Sequence, residues 1–265
     1  MIFDQNKISK KRLIPAAILL FALLLLTGWV FKERLLNRRM EQTVTAQNKN
    51  QQKEAEANPD IMLPEYRELY EQNHDLIGWL SIEDTVIDYP VMQTPEDEEY
   101  YLHLDFYKEK NENGSLIMDT DSQVGIGTAK KKYRNGIKPS TNLIIHGHNM
   151  QSGQMFGDLG KYESKEYGMA HNIIHFDSLY EKREYELIAV FYSKVFYEKE
   201  DMFKYYQFFQ ADTREEFKTW YRNIKQMSLY DTGVTAKFGD EFITLSTCSY
   251  HVEDGRFVVI GKRIS

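Results

Sequence analysis

The sequence predicts a mainly β domain with helical additions, a barrel or a sandwich. Short apolar runs recur between residues 76 and 264, several with the period-two alternation of a half-buried strand, and Gly and Asn punctuate the gaps. Only one long segment within them, 212–228, has clear helical spacing. The 18 Tyr and 15 Phe fit the same reading, because aromatic side chains pack well on a pleated face.

Taken in chain order, residues 1–12 form a short polar tail, expected to be cytoplasmic. Residues 13–31, LIPAAILLFALLLLTGWVF, are 19 positions without a charge, enough to cross a bilayer core as a helix. Pro15 falls in the first turn, where proline is tolerated, and Trp29 lies near the far end, at an interfacial depth. A cleaved signal peptide is the alternative, but its apolar core is shorter and small residues follow it, whereas Trp29, Val30 and Phe31 run straight into Lys32. The basic flanks nearly balance, so charge alone does not orient the span. A single-pass anchor with the large acidic domain outside the cell is the expectation. Residues 32–58 are polar and read as a stalk, and 59–265 as the folded extracellular domain.

Within that domain Pro64 opens a helix, PEYRELYEQNHDL, with Tyr66, Leu69 and Tyr70 on one face, and Gly78 is expected to end it. WLSIEDTVIDYPVMQ then reads as a hairpin: Trp79, Leu80 and Ile82, a turn at Glu83-Asp84, then Val86 and Ile87. Further strands are predicted at 115–119, 141–146, 184–192, 241–248 and 256–264. Asp212 or Thr213 caps the clear helix, whose apolar face is Phe217, Trp220, Tyr221 and Ile224. The run 96–99 reads as an exposed helix start, and the basic run at 130–134 as a solvated loop.

Charge and cysteine content narrow the function. Residues 1–40 hold eight Lys/Arg against two acids, a net of +6, which leaves −13 for the rest of a chain whose total is −7. So acidic a body argues against a nucleic-acid partner, which needs a basic face. One cysteine, Cys248, cannot form an internal disulfide. In an exported domain a lone thiol is either buried filler or used.

Cys248 ends one predicted strand and Arg256 begins the next, so if the two pair, Arg256 returns beside Cys248. A guanidinium there favours the thiolate and can donate to an oxyanion. A cysteine nucleophile also needs a proton donor for the leaving amine. His148 follows the strand TNLIIH across Gly147 in a polar loop, where a side chain can face a cleft; His146 sits inside the strand. Spacing alone does not choose between them, and the loop position favours His148. His146-x-His148 and His171-x3-His175 are possible chelating pairs for a metal. The first lacks the Asp and His of an HxHxDH site, with Asn149, Met150 and Gln151 in those places, and the second lacks the Glu of HExxH. No metal or other cofactor is expected.

TLSTC at 244–248 with Arg256 opening the next strand resembles the signature of the sortase family, and NLIIHGHNM at 142–150 resembles its histidine motif, with His148 at the catalytic position. IGWLSIEDTVIDYPVMQ at 77–93, YYLHLDF at 100–106 and GSLIMD at 114–119 are also similar, so the resemblance spans about 60–265. Class B is nearest, from the Ser in TLSTC, the helix before GWL and the long helix at 213–228. The resemblance implies an eight-stranded β-barrel with N-terminal helices and a long helix between late strands. It implies a thiol transpeptidase in which Cys248 attacks the Thr carbonyl of a C-terminal sorting motif. The thioacyl-enzyme is resolved by an amine from a cell-wall precursor or a pilin lysine. His148 is then the general acid and base, and Arg256 the oxyanion holder. Leu102, Ser246, Thr247, Tyr205 and Tyr206 become groove residues. Members that take an Asn-Pro-type motif often carry Asn four residues before that Leu; Glu98 stands there, which leaves the motif open. A simple cysteine protease and a non-catalytic anchored assembly module are the competing readings.

Overall fold

The computed structural model describes residues 61–131, 133 and 136–265. The tail, anchor and stalk expected over 1–58 lie outside the described residues. Among the described residues no helix is long and apolar enough to cross a membrane.

Eight strands close into a barrel: β1 (Leu76–Ser81), β2 (Asp88–Met92), β3 (Leu116–Met118), β4 (Asn142–Gly147), β5 (Ile173–Ser178), β6 (Glu184–Lys194), β7 (Phe242–Cys248) and β8 (Gly255–Arg263). The order around the barrel is β1-β2-β3-β4-β7-β8-β6-β5. Closure removes the unpaired edges that an open sheet would expose. Among the described residues three α-helices decorate it: α1 (Pro64–Gln72), α2 (Lys165–Ala170) and α3 (Arg214–Met227). The mainly β class with a long helix between late strands is therefore the observed architecture.

Strand alternation divides the apolar residues into two layers. Leu143 and Ile145 of β4, Ile243 and Leu245 of β7, and Phe257 and Val259 of β8 fill the barrel interior together with Leu80, Val91 and Phe176. The intervening residues face outward, and on β6 and β8, and at Phe242 of β7, apolar ones are found there too. Phe191, Val258, Ile260 and Phe242 form a second core with Phe217, Trp220 and Ile224 of α3. Strands covered on both faces read as continuous apolar runs, which is why β4 and β8 showed no clean alternation. A capping box fixes the start of α3: Thr213 accepts from the Glu216 N–H, and the Glu216 carboxylate accepts from the Thr213 N–H. Phe208 stacks on Trp220 with 4.4 Å between ring centroids.

Three expectations change in detail. The first helix stops at Gln72, four residues before Leu76, because Asn73 leaves the helical region and its side chain is used elsewhere. Its Nδ2 donates to the Tyr101 hydroxyl and the Phe106 carbonyl, both at 2.7 Å. Gly78 is not a helix terminator but a strand residue; a Cβ there would lie 2.5 Å from the Asp177 carbonyl and 2.7 Å from the Phe176 ring. The hairpin is present with a longer turn. Val86 is exposed, Asp84 takes a left-handed φ of 58°, and pairing resumes at Ser81 with Asp88. The acidic run 96–99 forms turns rather than a helix start.

An ion network ties the β5–β6 hairpin to the end of the chain. Glu181 is buried against Arg183 and Arg263, and Arg263 also meets Glu241 at 2.8 Å. Burial alone would raise the Glu181 pKa; the Ala129 N–H and the two guanidinium groups outweigh it and hold the carboxyl below its ordinary 4.5. A depressed carboxylate pKa stabilises the fold above the ordinary value, and the contribution is lost as pH falls through the depressed one. Glu181→Gln should therefore cost about 3–5 kcal/mol near neutral pH by leaving buried cations uncompensated. Denaturant titrations from neutral to acid pH should show a flatter acid limb for the variant; an acid limb as steep as that of wild type would contradict this.

Candidate active site

The barrel brings three strand ends together. β4 and β7 run parallel, so both finish at the same end of the barrel, and antiparallel β8 starts there. The β4·β7 register pairs Ile144 with Thr244, His146 with Ser246 and Gly147 with Thr247. One step further sets His148 beside Cys248. Across β7 the antiparallel register pairs Cys248 with Arg256 directly. Side chains directly opposite have Cβ atoms about 4.5–5.5 Å apart.

Period-two alternation then decides which way these residues face. Ile243 and Leu245 point into the barrel, so Phe242, Thr244, Ser246 and Cys248 point out. By the same count Arg256 shares the outward face with Val258 and Ile260. His146 lies on the outward face of β4, and His148 follows directly after the end of that strand. Histidine, cysteine and arginine thus follow one another across three adjacent strand ends, with Cys248 and Arg256 directly opposite each other.

Gly147, the last residue of β4, lets the core pack close behind this row. A Cβ there would meet Leu116 Cδ2 at 2.6 Å and the Phe156 ring at 2.7 Å. Beyond it the loop doubles back, with the Phe156 N–H donating to the His148 carbonyl at 3.0 Å. The His148 ring is held from the opposite wall: its Nε2 lies 2.8 Å from the Leu102 carbonyl. A carbonyl only accepts, so Nε2 carries the proton in this arrangement, which leaves Nδ1 as the basic nitrogen. His103 stacks beside it at 5.7 Å.

Cys248 is a free, exposed thiol. Its carbonyl accepts from Asn149 Nδ2 at 2.8 Å. Arg256 is half-buried, and its NH1 donates to the carbonyls of Asp254 and Gly255 at 3.3 and 3.0 Å. Those bonds hold the head of the side chain while the other nitrogens of the planar fork remain as donors. An exposed thiol, an imidazole with one basic nitrogen and a guanidinium in a row are the parts of acyl transfer through a thioester.

The other residues expected at the groove are placed differently. Leu102 is half-buried and reaches the site through its carbonyl. Ser246 and Thr247 are buried, at 1% and 3% exposure, so their side chains do not face solvent. Thr247 donates to the Gly147 carbonyl at 2.8 Å, and the Ser246 hydroxyl is 2.7 Å from that of Tyr205. Tyr205 is itself buried beneath this end of the sheet. Burial pushes its hydroxyl up to about 12, against the hydrogen bond to Ser246 and the positive charge of Arg256, which act the other way. Tyr206 is half-buried, and its hydroxyl accepts from the Phe196 N–H at 2.9 Å. Glu98 accepts from the Thr120 N–H and hydroxyl at 3.2 and 2.7 Å. His146 contacts Asp119 at 3.2 Å.

Sequence reasoning missed two neighbours of the row, His103 and Asn149. His103 lies in YYLHLDF and Asn149 directly follows His148, so the only available signal was their place inside segments already singled out.

Residues 80–264 match the sortase domain family. Sortase B of Listeria monocytogenes is 34% identical over 247 residues, covering 91% of this chain and 92% of that protein. Sortase B of Staphylococcus aureus is 29% identical over 206 residues, covering 76% and 75%. Among solved structures, sortase B from B. anthracis superposes with a TM-score of 0.64 at 29% identity, covering 77% of this chain and 86% of that one. The matched span runs from β1 to the end of β8 and contains the whole row. The chain therefore belongs to the sortase family of cysteine transpeptidases, in its class B.

Proposed function

We propose that the protein cleaves a C-terminal sorting motif after Thr and joins the resulting acyl group to a cell-wall or pilin amine, with Cys248 as nucleophile. The observation that carries this reading is the row His148–Cys248–Arg256, three residues at the ends of neighbouring strands.

In this reading the Cys248 thiolate attacks the Thr carbonyl carbon. The carbonyl electrons move to oxygen, and the Arg256 guanidinium stabilises that oxyanion. Collapse of the tetrahedral species breaks the peptide bond, and the imidazolium of His148 protonates the leaving amine. The thioester now holds the acyl group. An incoming amine attacks it, gives its proton to neutral His148, and expels Cys248 as thiolate. Acid and base roles alternate on one imidazole, so the enzyme returns to its starting protonation state. Leu102 and Tyr206 border the row and are the residues we assign to substrate contact. Ser246, Thr247 and Tyr205 support the floor from beneath.

The partners in this reading are surface proteins or pilins bearing a sorting motif. The 13–31 span holds the enzyme at the outer side of a cell membrane as a single-pass anchor, its 59–265 domain outside the cell. The uncharged 19-residue run supports that placement.

Cys248→Ala and His148→Ala should each remove turnover of a sorting-motif peptide, measured as amide formed with an added amine. A Cys248→Ala enzyme that still forms amide would sink the thioester route. If wild type yields only the free acid, the simple protease gains instead. Arg256→Lys keeps the charge but loses the fork and should slow the reaction about 10²–10³-fold; a near-normal rate would remove the oxyanion role. For the anchor, cell fractionation should place the full chain in the membrane and a chain starting at residue 59 in the soluble fraction. Equal distribution of the two would refute it.

A further inference from the structure

The main-chain ladder between β4 and β7 stops at Gly147 and Thr247, one residue short of the row. Two side chains carry the connection across that gap. Thr247 donates Oγ1 to the Gly147 carbonyl, and in the reverse direction Asn149 donates Nδ2 to the Cys248 carbonyl, both at 2.8 Å. A carbonyl only accepts, so the amide nitrogen must face it.

The Cys248 carbonyl shares a peptide plane with the Ser249 N–H, which donates to the Gly255 carbonyl at 2.8 Å. That plane is thus held on one side by β8 and on the other by the residue after His148. Asn149 is itself fixed, because it bridges to Met155 and the next residue, Phe156, is fully buried. The far side of the His148 ring is fixed by the Leu102 carbonyl. Past the last paired residues, the bond from Asn149 is the side-chain link that joins the main chain after His148 to that of Cys248, with the Thr247 bond one step behind it.

We propose that Asn149 is a positioning residue for acyl transfer: its side-chain amide sets the distance between the main chains that carry Cys248 and His148. The proposal rests on the reading of those two residues as the reacting thiol and imidazole. Asn149 bonds the Cys248 carbonyl rather than its sulfur, so it acts on geometry and not on the chemistry itself. Transfer between groups held about 3–3.5 Å apart is sensitive to such displacement, and a misplacement of about 1 Å can cost 10²-fold.

The test compares full-length wild type with Asn149→Ala, Asn149→Asp, Asn149→Gln and Cys248→Ala on a sorting-motif peptide with an added amine. Asp has the shape of Asn, but as a carboxylate it turns only acceptors toward the carbonyl. Ala and Asp should each lower kcat about 10–100-fold with KM within about twofold of wild type. Gln keeps a donor on a longer arm and should recover part of kcat. Melting temperatures of Asp and Gln should stay near that of wild type. A kcat within about twofold of wild type for Ala or Asp would overturn the proposal. So would Gln performing no better than Ala, or losses in kcat that follow losses in melting temperature across the set. Where Ala fails to fold, the isosteric Asp decides on the same criteria. Retained turnover in Cys248→Ala would instead defeat the thiol reading, whatever Asn149 does.

Discussion

The parallel pairing of β4 with β7 is the constraint on which the rest depends. These strands lie a hundred residues apart in sequence and adjacent in the barrel. Parallel strands finish at the same end of a sheet, so their exit residues meet. Had the pair been antiparallel, His148 and Cys248 would stand at opposite ends of the barrel. β8 then returns antiparallel to β7 and delivers Arg256 opposite Cys248. One parallel and one antiparallel contact on a single strand therefore assemble the row. Both neighbours are buried on two faces, which makes the register costly to slip: a shift by one residue would exchange Leu245 for Ser246 in the interior.

Much of this was legible in the sequence. Cys248 and Arg256 sit in one hairpin, eight residues apart, and hairpin register follows from local pattern. The clear helix was legible because an N-cap residue at Asp212 or Thr213 and an apolar face at Phe217, Trp220, Tyr221 and Ile224 mark it independently; the structure settles the cap on Thr213. The pairing of β4 with β7 was not legible from pattern, because no local signal specifies a partner a hundred residues away. The family motifs implied that His148 and Cys248 act together, without specifying this pairing. The error at Gly78 has a different origin. Glycine after a helical pattern is a common stop signal, but this glycine is required by the Asp177 carbonyl and the Phe176 ring of the neighbouring strand β5, a tertiary contact invisible to a local rule. The burial of Ser246 and Thr247 was hidden for the same reason. Small hydroxyl residues beside a nucleophile suggest a groove, whereas here distant groups, the Tyr205 hydroxyl and the Gly147 carbonyl, occupy them.

The same strand explains why the thiol is open while everything behind it is closed. Along the outward face of β7, Phe242, Thr244 and Ser246 are covered, and Cys248 alone is exposed. The cover changes character as it goes. Aromatic residues of α3 seal Phe242, Asn142 accepts from the Thr244 hydroxyl at 2.9 Å, and Tyr205 seals Ser246. Polar contacts thus replace apolar ones toward the row, and the cover ends one step before the sulfur. A lone cysteine inside the covered part would be inert filler; two residues further along the same face it is a nucleophile candidate. Tyr205 is suited to mark that border. Burial keeps its hydroxyl protonated through the neutral range, so it offers a fixed neutral hydrogen bond beneath a charged guanidinium and adds no competing anion. The position at which the helical layer stops, rather than the identity of the residue alone, is what separates a structural cysteine from a reactive one in this fold.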